Sequence, residues 1–258
     1  WWAGGDLQTF VGFFGEKTKH LKNLFLIYKC DTAETLTSAE LQLCNQLKIT
    51  IFAVSKPETL NLKSVFLLPT AYCLDYVRPR QLLAFSDLSW GDKIRKVVWR
   101  GVTSGIYQPG EKSCVTGTCG IRKTIILKLI SEVPELVDVG FTQTHIKNET
   151  FPLKSSLTPE DQSAYKAILV IDGWGWPGSI NWTIDSGTIP IIVSESKLDI
   201  QRHLKDGVNC FLAASDGSDI IEVVHKVLSL TNEKAQHILD SLKMVSKELH
   251  CDSLSKRM

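Results

Sequence analysis

Apolar runs of four to eight residues alternate along this chain with longer stretches whose apolar positions recur at helical spacing. A strand buried on both faces reads as a continuous apolar run, and a surface helix repeats its apolar residues three and four apart. The alternation therefore predicts an α/β fold, a parallel sheet with helices on its faces. The clearest runs cover residues 24–28, 49–54, 64–68, 96–99, 167–171 and 188–193. Between the first two, Ser38 stands as a helix cap before an amphipathic stretch ending at Cys44, so a strand-helix-strand unit is expected. Further helices are expected over residues 122–130, closed by Pro134, and over 219–228 and 232–248. Residues 55–91 are richer in Pro, Asp and Arg and weaker in period, which places a domain boundary near residue 90. The expected organisation is a first domain over 1–90, a second over 91–240 and a terminal helical segment over 241–258 that packs back on the first.

Composition narrows the classes of function. The 258 residues are 43% hydrophobic and 22% charged, with 29 basic against 28 acidic side chains and a net charge of +1. That balance argues against a protein that coats nucleic acid, which needs a basic field to release counterions. No apolar stretch approaches the length of a membrane span, and no signal-peptide pattern is visible. Seven cysteines, an odd number without CxxC spacing, favour reduced thiols in a cytoplasmic setting, with the secretory-pathway lumen as the alternative if a targeting segment has been removed. Asn148 and Asn181 head glycosylation sequons, but a glycan on the second would obstruct the segment singled out next.

Three places carry candidate chemistry. The first is the strand ending Val170-Ile171 that runs into Asp172-Gly173-Trp174-Gly175-Trp176-Pro177-Gly178-Ser179. A glycine-rich turn after a buried strand, opening toward a helix, can offer backbone N–H groups to a phosphate. It does not match GxxxxGK[ST], and a tight turn whose tryptophans fill an interface reads equally well. The second is Lys96-Val97-Val98-Trp99-Arg100-Gly101-Val102-Thr103-Ser104, where an arginine at a strand end can hold a phosphate through two charge-assisted hydrogen bonds, with Arg122 at an expected helix start downstream. The third is Asp31, just beyond the first strand, a carboxylate able to serve as a general base or simply to form a turn with Thr32. The six histidines lack metal spacing, no HExxH, DxD or paired CxxC is present, and no GxSxG elbow appears, so neither a bound metal nor a serine hydrolase is expected.

The blocks Lys96-Val97-Val98-Trp99-Arg100-Gly101 and Ser163-Ala164-Tyr165-Lys166-Ala167-Ile168-Leu169-Val170-Ile171-Asp172-Gly173, the latter followed by Trp174-Gly175-Trp176, resemble the two signature blocks of glycosyltransferase family 90, over about residues 24–230. The resemblance implies a GT-B fold of two facing Rossmann-like domains, with the nucleotide sugar held mainly by the second. It also implies inverting transfer without a metal and with a UDP-sugar as co-substrate. Residue by residue, it implies Asp31 as the catalytic base, Arg100, Gly101 and Arg122 at the diphosphate, and Asp172 and Gly173 at the start of the second block. Thr103, Ser104, Trp174, Gly175, Trp176 and Ser179 complete the expected donor site. Where the family usually carries an arginine a few residues after Asp-Gly, this chain has Ser179, and Asn181 stands where a basic residue is common. One phosphate contact is then missing or supplied by another group. Residues 187–195 followed by 206–212 also look like the nucleotide-binding half of many GT-B enzymes, which makes Glu195 a candidate ribose contact.

The function so implied is transfer of xylose, or next glucose, from UDP to a hydroxyl of a glycan or glycoprotein acceptor, a compact viral xylosyltransferase being the nearest type. The competing expectation is a nucleotide- or carbohydrate-binding protein of the same fold without turnover, favoured by Ser179.

Overall fold

The computed structural model of the chain describes residues 26–32, 38–47, 49–57, 65–67, 87–103, 120–144, 150–173, 177–194, 196–198 and 202–249. Its strands are β1 (Leu26–Thr32), β2 (Thr50–Pro57), β3 (Val65–Leu67), β4 (Ile94–Val102), β5 (Val137–Gln143), β6 (Tyr165–Ile171), β7 (Ile189–Val193), β8 (Ser196–Leu198) and β9 (Phe211–Leu212). Its helices are α1 (Ser38–Gln46), α2 (Ile121–Glu132), α3 (Pro159–Ser163), α4 (Ile180–Thr183), α5 (Ile220–Leu228) and α6 (Asn232–Leu249), with a single 3-10 turn at Pro134–Leu136. Two compact units divide the chain. One comprises residues 1–81, 196–202 and 249–258, the other residues 82–195 and 203–248. Among the described residues no helix is long and apolar enough to cross a membrane.

In the first unit β1 and β2 run parallel, joined through α1, as the strand-helix-strand pattern requires. β3 adds in parallel on the far side of β2, and β8 pairs antiparallel with the end of β2, Ser55 facing Leu198. Cys44 on α1 and Ile51 on β2 are buried. The register between β1 and β2 shifts after Lys29, so that Thr32 faces Ser55, and Asp31 lies in this shifted carboxyl end of β1.

The second unit is a five-stranded sheet in the order β5-β4-β6-β7-β9, all neighbours parallel. β6 and β7 are buried on both faces along most or all of their length, which is why their sequences read as unbroken apolar runs. Alternate residues of the strands, among them Val97, Trp99, Phe141, Leu169 and Ile191, form one continuous core with α2, α5 and the first half of α6. α2 turns Ile121, Ile125, Ile126 and Leu129 into that core. The turn before α5 approaches so closely that a Cβ on Gly217, whose φ is +68°, would lie 2.6 Å from Ile125. β5 was not expected from the apolar pattern. Its sequence, VDVGFTQ, is broken by Asp138 and Gly140, and both serve neighbouring side chains described below.

At the amino ends of the central strands Lys93 is 4% exposed. Its ammonium donates to the Ser163 carbonyl ahead of β6 and, at 3.3 Å, to Thr188 Oγ1 ahead of β7. No carboxylate pairs with it among the described residues, and burial lowers its pKa from 10.5 to about 8. Between these values the unfolded chain holds a proton that the folded chain has released, so stability rises with pH from about 8 to about 10.5. Replacing Lys93 by Met should remove that slope. In urea titrations the wild-type stability relative to Lys93→Met is expected to climb by up to about 3 kcal/mol across this window, and a difference independent of pH would refute the assignment.

Candidate functional site

In chain order the sheet of the second unit is arranged 2-1-3-4-5, so connections leave β4 and β6, adjacent in space, in opposite directions. Ligands of open α/β sheets bind outside the carboxyl ends of the strands at such a switch point. The residues that meet there are Val102 at the end of β4 and Thr103 after it, Ile171 at the end of β6 and Asp172 after it, Ser194 after β7, and Arg122 on the first turn of α2. α2 starts from Gly120, whose φ of 80° and ψ of 4° are left-handed, a conformation open to glycine at little cost.

Arg122 bolts this edge together. Its Nε donates to the Asp172 carbonyl at 2.9 Å, Nη1 to the Val102 carbonyl at 3.1 Å and Nη2 to the Ile171 carbonyl at 3.1 Å. The guanidinium also lies 5.8 Å from the centroid of the Trp99 ring, within cation–π range. Burial lowers its pKa to about 10, and the negative charge of Asp172 works in the opposite direction, so the group is charged at neutral pH. The Asp172 side chain is itself 4% exposed and accepts a 2.9 Å hydrogen bond from Ser194 Oγ. A cation, a carboxylate and a hydroxyl thus link the carboxyl ends of three adjacent strands. Ser194 was not singled out from the sequence, where a serine following an apolar strand carries no signal of its own.

Arg100 is turned toward acceptors within the protein. A phosphate clamp was expected of it, but all five of its N–H groups are committed within the protein. Nη2 donates to both oxygens of Asp138 at 3.0 and 3.1 Å, Nη1 to the carbonyls of Trp99 and Asp138 at 3.0 and 2.7 Å, and Nε to the carbonyl of Ser155 at 3.0 Å. The bidentate geometry that suits a phosphate has found a carboxylate on the neighbouring strand. Lys154 and Tyr165 also donate to Asp138, each at 2.6 Å. The Lys154 stem crosses Gly140 so closely that a Cβ there would lie 2.7 Å from Cγ.

Gly101 likewise has a steric reason, since an added Cβ would sit 2.5 Å from Cζ2 of Trp99. The glycine-rich turn opens not on a full helix but on the four residues of α4, too short for a helix dipole to develop. Ser179 precedes α4 without a side-chain cap, and its carbonyl accepts from the amide and hydroxyl of Thr183. Thr183, the third residue of the second sequon, is fully buried. Gly173 is part-exposed at the site edge and Thr103 is buried beside it. Ser104, Trp174, Gly175, Trp176 and Glu195 lie outside the described residues, as does the side chain of Asp31.

Burial raises the Asp138 pKa, but the hydrogen bonds from Lys154, Tyr165 and Arg100 outweigh it and hold the value at about 2. Burial and the same carboxylate push Tyr165 up to about 12. The stabilisation from ionised Asp138 is complete above its unfolded value near 4 and disappears as pH falls toward 2. With allowance for solvent screening, Asp138→Asn should remove about 1–2 kcal/mol at neutral pH. In acid titrations of unfolding its deficit against wild type should shrink between pH 4 and 2, and a deficit that stays constant would count against the network.

No protein-family model and no curated protein matches this chain. Solved structures do resemble it. Anabaena HepE in complex with UDP and glucose matches with a TM-score of 0.50 at 11% identity, over 98% of this chain and 74% of that one. An α1,3-fucosyltransferase matches at 0.44 and 12% identity over 96% and 87% of the two chains, and S. aureus MnaA with UDP at 0.42 and 10% over 100% and 80%. The likeness to HepE shows the fold of this chain, which is α/β of the GT-B type, with a parallel five-stranded sheet in the second unit.

Proposed function

We propose that the chain is a glycosyltransferase that moves a sugar from a UDP donor to an acceptor hydroxyl, holding the diphosphate at the carboxyl ends of β4, β6 and β7. The observation that carries this reading is Arg122, a charged guanidinium anchored on the Val102, Ile171 and Asp172 carbonyls at the switch point of a doubly wound sheet. Such a point is where open α/β sheets take their ligands, and HepE, similar in fold, was solved with UDP and glucose. The Trp-Arg-Gly and Asp-Gly blocks resemble those of glycosyltransferase family 90 and support the same class.

In this reading the bond from the anomeric carbon to the diphosphate oxygen breaks as the acceptor oxygen attacks from the opposite face, which inverts the configuration. Asp31 takes the acceptor's proton, a role it receives from the family resemblance. The departing UDP gathers negative charge, and Arg122 stabilises that charge where it develops, so its effect falls mainly on the transition state. Arg100 contributes through β4 rather than by touching phosphate. Xylose is the first donor sugar to test and glucose the second, with a glycan or glycoprotein hydroxyl as acceptor and, as in the family, no metal.

A thermal-shift panel of UDP, UDP-xylose and UDP-glucose tests the binding step, since a ligand at a hundredfold excess over its dissociation constant adds about 2.7 kcal/mol to folding stability. Uptake of none of them overturns the proposal. Asp31→Asn should cut transfer by about 10²–10⁴ while UDP binding stays intact; lost binding would assign Asp31 to structure instead. If wild-type protein binds UDP but forms no product with any sugar and acceptor, a non-catalytic nucleotide-binding role replaces the enzymatic one.

A further inference from the structure

The side chain beneath Arg122 has no part in the function proposed above, yet its geometry is tightly specified. Trp99 lies two positions before Gly101 on β4, so both face the same side of the sheet. The ring extends across the place where a Cβ on residue 101 would be, 2.5 Å from Cζ2 and 2.9 Å from Cη2. Phe141 holds it there from β5 with an edge-to-face contact, centroids 5.2 Å apart at 84°. A second edge-to-face pair, Phe141 with Phe151 at 5.1 Å, steadies Phe141 in turn. The exit of this aromatic row is the guanidinium of Arg122.

We propose that Trp99 is a positioning residue for nucleotide diphosphate binding: its indole is the platform that sets Arg122 on the strand-end carbonyls, and Gly101 is the gap that lets the ring reach. The claim rests on the proposed diphosphate site. A guanidinium has several rotatable bonds between it and α2, so its seat on the three carbonyls depends on what packs around it. The Trp99 ring, 5.8 Å from the guanidinium carbon to the ring centroid, adds a cation–π attraction, and that attraction is strongest where water is excluded. Any side chain larger than hydrogen at residue 101 must displace the ring, because ordinary contact begins near 3.4 Å. The Trp-Gly spacing is thus explained by Arg122 and not by a ligand contact of Gly101.

Calorimetric titration of the full chain with UDP tests this with Trp99→Phe, Gly101→Ala, Arg122→Gln and the double variant Trp99→Phe with Arg122→Gln. Phenylalanine keeps an aromatic ring at the core position but is too short to cover residue 101, and Gly101→Ala keeps the indole while pushing it aside. Each of the first two should weaken UDP binding about tenfold, and the double variant should bind no more weakly than Arg122→Gln alone. A thermal melt of each variant registers the cost to folding separately, and if Trp99→Phe fails to fold, Gly101→Ala paired with Arg122→Gln provides the same comparison. UDP affinity unchanged in Trp99→Phe and Gly101→Ala, or losses that multiply in the double variant, would show a packing role only and overturn the inference while leaving the proposed function standing. A wild-type chain that takes up no UDP removes the functional reading itself, and the inference with it, at the first titration.

Discussion

Parallel strands that stop side by side leave carbonyl groups facing outward at their carboxyl ends, and the second unit answers this with one guanidinium. Arg122 accepts the geometry of three such carbonyls at once, from the two strands between which the chain changes direction. At the other end Lys93 does related work, donating to the Ser163 carbonyl and to the Thr188 hydroxyl ahead of β6 and β7. Each cation is buried enough for its pKa to fall, to about 10 for Arg122 and about 8 for Lys93. Both lie about equally far below their ordinary values, and only the causes differ. Arg122 has the Asp172 carboxylate near it to oppose the effect of burial, whereas burial alone accounts for the lowered value of Lys93.

The two arginines expected at the diphosphate show how neighbouring residues of one strand edge acquire different duties. Side chains of β4 alternate between the two faces of the sheet, so Trp99 and Gly101 belong to the core that α2 covers, while Arg100 points the other way. On that other face Asp138 is waiting on β5, and the bidentate pair forms there. A carboxylate at 3.0 Å competes with any incoming phosphate for the same donors, with no conformational change needed to keep it. Arg122 donates instead to the Val102, Ile171 and Asp172 carbonyls, with the Asp172 carboxylate acting on its charge. Identity of residue type was therefore a poor guide to role, and the deciding factor was which face of the sheet offered an anion.

Much of the fold was legible because the central strands are apolar on both faces. β6 and β7, the α1 crossover and the long helices α5 and α6 followed from period alone. β5 was hidden by Asp138 and Gly140, the two residues that Arg100 and the Lys154 stem require, so the same substitutions that complete the polar network erase the strand's hydrophobic signature. α3 carried a signal that went unread. Thr158 and Asp161 form a reciprocal capping box around Pro159, with Asp161 in the place usually held by glutamate. At the site, Trp99-Arg100-Gly101 was visible as a motif, but its meaning depends on Asp138, Phe141 and Arg122, which lie between 21 and 42 positions away in the chain, so no local pattern could supply it.

A buried cation is an expensive way to satisfy carbonyls that water or a backbone amide would also satisfy, because desolvation penalises the charged form whatever its dipolar partners. Asp172 offsets part of that penalty, and Ser194 in turn holds Asp172, so three strand ends are engaged in keeping one guanidinium charged. Under the proposed function the arrangement has a use: a diphosphate beside Arg122 adds its negative charge to that of Asp172 and further favours the charged guanidinium. Because the cost is met during folding, the group is already oriented when negative charge develops on the leaving nucleotide, and that prior orientation is the source of catalytic advantage in electrostatic stabilisation.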